Sequence, residues 1–320
     1  MTSENDNKPV VIINGPTASG KSALALAIAT AHNGVIINAD SMQIYDALAT
    51  LTAQPDTNEL ARAPHRLYGV LDPSEGLDAE KWRDMATIEI RSAHDAGHVP
   101  VIVGGTGFYI KTLMEGLSPI PAVDPDIRAR GEEQLAKIGI EAFYEDLVEK
   151  DPLIDGKIDA QNPRRVMRAW EVLEATGRSL IHWQSVPKSG PPEGLKFIVI
   201  SVMPDRDWLY DRCNRRFEIM FDSGAVDEVR DLLAWIDAGK VPEDALITKA
   251  IGFPEIIGWV NGETSKETAI ESAQQATRNY AKRQMTWARN QLDADITFDP
   301  ASDDVKNVVN SLSGLLAKAP

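Results

Sequence analysis

An α/β fold, a parallel sheet with an all-helical segment inserted into it, is what this sequence predicts. Three observations carry that reading. Short β-branched runs alternate with helical stretches, the pattern of a parallel sheet linked by right-handed crossovers. The first of those runs leads directly into a glycine-rich loop. The region 117–185, by contrast, is highly charged and shows helical spacing with no strand-like run.

In chain order, the strand-like runs lie at 10–14, 35–39, 99–103 and 197–202. Their continuous apolar character suits strands buried on both faces. Helices are expected at 20–32 and 78–96, and from 205 to about 291, where the last helix starts at a capping-box pattern, Thr264 to Glu267. The run Leu117-Ser118-Pro119-Ile120-Pro121 opens the insertion, and the proline-rich stretch 187–192 follows it. The expected organisation is therefore 1–116 and 186–320 as the sheet domain and 117–185 as the helical insertion.

The loop after the first strand reads Gly15-Pro16-Thr17-Ala18-Ser19-Gly20-Lys21-Ser22, which is G-x-x-x-x-G-K-[ST] between a strand and a helix. Gly15 and Gly20 let backbone N–H groups turn inward around an anion, the following helix adds the positive end of its dipole, and Lys21 adds a full charge. The Ser22 hydroxyl is placed to hold a divalent ion. The core is thus P-loop NTPase-like, and the loop binds a di- or triphosphate. Kinases, ATPases and some transferases all use such a loop. Asp40 follows the second strand, where carboxyl ends converge; it reads either as a metal-organising carboxylate or as a general base.

Bulk properties narrow the class. A net charge of −15 argues against non-specific nucleic-acid binding over the whole surface, while leaving room for a local basic stripe. One exists: Arg278, Lys282, Arg283 and Arg289 occur with no acid between 278 and 291. Helical spacing puts Arg278, Lys282 and Arg289 on one face, and Tyr280 and Trp287 opposite, where aromatics pack a helix on the body. A single cysteine, Cys213, excludes an intrachain disulfide and a cysteine-rich zinc site. No apolar run reaches the roughly 18 residues needed to span a bilayer, so a cytoplasmic location without membrane contact is expected.

Several segments together resemble the tRNA dimethylallyltransferases (isopentenyl transferases). The loop is joined by Asp40-Ser41-Met42-Gln43-Ile44-Tyr45 and by Val103-Gly104-Gly105-Thr106-Gly107-Phe108-Tyr109. Gly116 to Pro119 and Asp124 to Arg128 are similar to the family's lead into its insertion. Asn162-Pro163-Arg164-Arg165-Val166-Met167-Arg168 resembles its Asn-Asp-x-Arg-Arg-x-x-Arg helix, and Lys282-Arg283-Gln284-Met285-Thr286-Trp287-Ala288-Arg289 its Lys-Arg-Gln-x-Thr-Trp-x-Arg segment. The resemblance runs in order from about residue 10 to 291.

The resemblance implies transfer of a dimethylallyl group from dimethylallyl diphosphate to N6 of the adenosine beside the anticodon of tRNA. It implies residues 15–22 on the diphosphate, with Mg²⁺ held by Ser22 and possible help from Asp40. Asp40, Lys21, Thr106 and Arg212 take catalytic roles. Thr17 either bonds the diphosphate or steadies its turn; Thr106 either faces the reacting centre or caps a turn; and Arg216 is either a second guanidinium on the diphosphate or a surface residue. The expected RNA contacts are Asp40 to Gln43, Thr106, Arg128, Arg164 to Arg168 (Val166 and Met167 included), Lys249, Gly252, Arg278, Lys282, Arg283, Gln284, Thr286, Trp287 and Arg289, and the chain is expected to be a monomer. Alternatives are a prenyltransferase of free adenine nucleotides, a P-loop small-molecule kinase and a non-catalytic RNA-binding module.

The chain departs from the family pattern twice. The family's Asp-x-Gly-Thr-Ala-Lys-Pro run corresponds to 46–55, with Leu51 and Gln54 where the glycine and lysine fall, so that loop lacks its cation. At Lys249-Ala250-Ile251-Gly252-Phe253-Pro254 a tyrosine hydroxyl and a final cation are missing, which predicts weaker RNA contact there.

Overall fold

The structure, a computed structural model, describes residues 7–317. Six parallel strands form one sheet: β1 Lys8–Asn14, β2 Gly34–Asn38, β3 His65–Arg66, β4 Val99–Gly104, β5 Leu195–Val202 and β6 Ile296–Phe298, in the order β3-β2-β4-β1-β5-β6. Alternation along the strands serves two cores. Val10, Ile12, Val35, Ile37, Ile102 and Val199 face one layer of helices. Val11, Ile13, Ile36, Val101, Val103, Ile198 and Ile200 face the other. Burial on both faces is why the central strands read as unbroken apolar runs.

β3 and β6 were not foreseen. At two and three residues they are too short for a period to register. Nor was Val305–Leu316 foreseen as the last helix of the chain; its Val308 and Leu312 cover the second core face. The capping pattern at 264–267 also resolves differently. Ser265 is the N-cap, its hydroxyl accepting from Thr268 N, and the helix runs Lys266–Gln291.

The chain divides into two compact units, Glu115–Gly190 and the remainder. Glu115–Gly190 has its own core of Phe143, Leu147, Ile154, Val166, Trp170 and Leu180. Its bounds lie slightly outside 117–185 because its two ends are tied together: Glu115 pairs with Lys188, Ser189 N donates to Leu117 O, and the turn at Gly116 packs on Gly190.

One core residue supports the site directly. Trp82 is fully buried, stacks on Tyr109 at 4.9 Å between ring centroids, and donates from Nε1 to Asn38 O at 2.9 Å. Trp82→Ala is expected to cost about 3–5 kcal/mol of stability, read as a lower denaturant midpoint with unchanged slope.

Candidate active site

The site is assembled beyond the carboxyl ends of β1, β2 and β4, where ligands of open α/β sheets bind. The loop after β1 curls through Ala18 at φ 61° and Gly20 at φ 89°, so one of its two left-handed residues is an alanine. Gly15 serves a different end from the one its spacing suggested. A Cβ there would lie 2.6 Å from Val202 O, so the glycine permits close approach of β5. The helix Lys21–His32 starts at the loop, with Gly20 as its N-cap, so the end whose N–H groups lack intrahelical partners meets the loop.

A cavity of about 300 Å³ is lined by the loop from Thr17 to Ser22, by Asp40 and Gln43, by Gly104 and Gly105, and by Arg212 and Arg216. Lys21 Nζ donates to Pro16 O at 2.6 Å. Its ammonium is held down to about 8, mainly by burial and further by Arg216, with Asp40 opposing the shift. Ser19 Oγ is fully buried and makes no hydrogen bond.

Asp40 is held by its own turn. Asp40 N donates to Asn38 Oδ1 at 2.8 Å, Asn38 Nδ2 donates to Asp40 O and to Leu67 O, and Asp40 Oδ1 accepts from Met42 N at 2.9 Å. Asn38 is fully buried and was not singled out in the sequence; an Asn two residues before a strand-end Asp was the available signal. Thr106 Oγ1 accepts from Ser41 N at 3.1 Å, so its hydroxyl joins the turn after β4 to that after β2. Gln43 Nε2 donates to Thr52 O and Ala53 O, bracing the 46–55 loop. Ala53, Gln54 and Pro55 line the cavity even without the family's lysine.

Both arginines of the helix Arg206–Met220 reach the cavity. Arg212 Nε donates to Ala18 O at 2.9 Å, with its guanidinium 4.7 Å over the Trp208 ring. Arg216, which the sequence reading ranked second, donates to Thr17 Oγ1 and is the less exposed of the two. Burial lowers its proton affinity, with Arg212 adding to the effect and Asp40 opposing it. Thr17 therefore has its hydroxyl engaged by Arg216. His65, Tyr68 and Glu59 also line the cavity; they come from β3, the segment just after it and the neighbouring helix Thr57–Arg62, where no sequence pattern marked them.

The helix Lys266–Gln291 buries a small-residue face, including Ala273, Ala281 and Ala288, and exposes Lys282, Arg283, Thr286 and Arg289. Lys282, Arg283, Thr286 and Trp287 line an open groove of about 540 Å³. The Trp287 ring packs on the backbone of Gly107.

Several expected RNA contacts are turned to other uses. Gln284 is buried: its Oε1 accepts from Thr17 N at 2.7 Å and its Nε2 donates to Gly105 O at 2.9 Å. Arg278 is half-buried and donates to Asn214 Oδ1 and Gln275 Oε1, so it braces two helices instead of extending the stripe. Val166 and Met167 lie in the core of Glu115–Gly190, because they fall on the buried face of the helix Pro163–Thr176. Gly252 is buried at φ 97°, where a Cβ would meet Phe217 and Leu51 at 2.7 and 2.8 Å. Phe253, where the family has tyrosine, is buried in the same place. Arg128 and Arg168 both pair with the buried Glu171, whereas Arg164, Arg165 and Lys249 are exposed.

Parallel-sheet topology places the chain in the α/β class, with a G-x-x-x-x-G-K-[ST] loop and a cluster of cations at the carboxyl end of β1. A model of the family described as IPP transferase matches residues 43–291. The chain belongs to that family. It is 48% identical over 303 residues to the tRNA dimethylallyltransferase of Rhodospirillum centenum, covering 94% of this chain and 95% of that one. It is 50% identical over 289 residues to the tRNA dimethylallyltransferase of Paramagnetospirillum magneticum, covering 90% of each. Among solved structures, the tRNA isopentenylpyrophosphate transferase of Bacillus halodurans superposes with a TM-score of 0.69 at 33% identity, covering 98% of both chains. A eukaryotic dimethylallyltransferase described as acting on tRNA gives 0.84 at 25% identity, covering 98% of this chain and 81% of that one.

Proposed function

We propose that this enzyme transfers a dimethylallyl group from dimethylallyl diphosphate to N6 of the adenosine beside the anticodon of tRNA. The observation that carries the reading is the shared cavity, lined together by a phosphate loop, three cations and Asp40. In the reaction the N6–C1 bond forms, the bond from C1 to the diphosphate oxygen breaks, and the amino proton leaves. Loop N–H groups, Lys21, Arg212 and Arg216 stabilise charge growing on the diphosphate. Asp40 takes the proton. Oδ1 already accepts from Met42 N, which leaves Oδ2 the less engaged oxygen for that proton.

Mg²⁺ fits the donor set. Ser22 lines the cavity at the end of the phosphate loop, and such ions are bound by one or two protein oxygens together with substrate phosphates. When bound, the ion would neutralise diphosphate charge.

RNA is favoured over a free nucleotide by the exposed Lys282, Arg283, Thr286 and Arg289, which suit phosphate contact and have no use in binding a mononucleotide. An adenine in a loop is the one most cheaply drawn from its stack into the cavity. Incubation with labelled dimethylallyl diphosphate and either AMP or unmodified tRNA is expected to label tRNA alone. Label in AMP but not in RNA would overturn the acceptor. Tight ATP binding with none of dimethylallyl diphosphate would make the chain a kinase.

A further inference from the structure

We infer that Gln284 is a positioning residue of the phosphate loop, acting on the diphosphate side of the reaction and not on the RNA. It sits on the helix whose outer face carries Lys282, Arg283, Thr286 and Arg289, but its own side chain points the other way. The carboxamide bridges two backbones 179 and 267 residues distant in sequence: Nε2 donates to Gly105 O and Oε1 accepts from Thr17 N. Fit is close, since a Cβ on Gly105 would lie 2.1 Å from Nε2.

The consequence lies in Thr17. Its N–H is held by Gln284 and its hydroxyl by Arg216, so the residue is fixed from two directions. The next residue, Ala18, has φ 61°, a conformation that alanine adopts only when its surroundings impose it. Gln284 supplies part of that imposition. Without it, the loop is free to relax at Ala18, the N–H groups that follow lose their common aim, and Arg216 loses its anchor. Preorganised donors are what such a site offers a departing anion.

The inference rests on the proposed function only in taking a diphosphate as the ligand. The probes are inorganic diphosphate with Mg²⁺, measured by calorimetry, and unmodified tRNA, measured by fluorescence anisotropy, on the full chain. Gln284→Met, similar in volume but without the two hydrogen bonds, is expected to weaken diphosphate binding roughly tenfold, a change of about 1.4 kcal/mol. Binding of tRNA is expected to stay within about twofold. Gly105→Ala displaces the carboxamide from the opposite side and is expected to show the same split; it decides the matter if Gln284→Met does not fold. Weakened tRNA binding with diphosphate binding unchanged would make Gln284 an RNA contact and overturn the inference. Both affinities falling together, or neither moving, would overturn it too, since general loosening of the fold does not select one ligand. If the wild-type protein binds diphosphate yet prenylates no tRNA, the proposed function fails while this inference is still decided by the diphosphate measurement.

Discussion

Asp40→Asn is expected to lower single-turnover prenylation by roughly two to four orders of magnitude, the range for removing a general base. Asparagine keeps an Oδ1 that accepts from Met42 N, and the backbone bond to Asn38 is untouched, so the turn after β2 survives the change. Affinities for diphosphate and tRNA should therefore stay close to wild type, and the loss should fall on the chemical step. Rapid-quench measurement at saturating substrates separates the two. Unchanged single-turnover rates would remove Asp40 from proton transfer and leave it as an organiser of the turn.

Lys21→Met is expected to cost roughly 10²–10³ in turnover, as removal of one preorganised donor to a developing anion does. A pH arm identifies the cause. In the free enzyme the ammonium is held at about 8 instead of its ordinary 10.5, because its surroundings disfavour the charged form. Raising the pH through 8 discharges Lys21, so kcat/KM for the donor should fall above that point. Bound diphosphate opposes this and shifts the group upward, so kcat should hold to higher pH than kcat/KM. In Lys21→Met the limb near 8 should vanish. A limb that persists in the variant would assign it to another group. The charges lining the cavity explain why one cation matters so much. Lys21, Arg212 and Arg216 face Asp40 and Glu59, an excess of only one positive charge with His65 neutral.

Much of this molecule was legible in its residues, for physical reasons that also mark where legibility stops. β1, β2, β4 and β5 announced themselves because strands buried on both faces must be apolar throughout. The phosphate loop was legible because its backbone chemistry is local, contained in eight consecutive residues. The place of Gln284 was not legible for the opposite reason. Its partners, Thr17 and Gly105, are brought to it only by tertiary packing, and a polar residue between Arg283 and Thr286 looks no different from its neighbours. The same holds for Arg278: helical spacing puts it on the basic face, while its bond to Asn214 on the adjacent helix is a product of tertiary packing. The ranking of Arg212 over Arg216 could not be settled by spacing, since both lie on the side of their helix that reaches the loop. Asn38 was overlooked because the β-branched run around it reads as strand, while its amide organises the turn that follows.

The closure at the base of Glu115–Gly190 has a consequence for the way such a chain tolerates change. Glu115 meets Lys188, and Gly116 packs against Gly190, so the segment leaves and returns at neighbouring points. Segments whose ends meet are the ones that chains gain, lose and exchange with least disturbance. The helical unit is thus closed at its own base, and the register of β4 with β1, and of β1 with β5, is set entirely outside it.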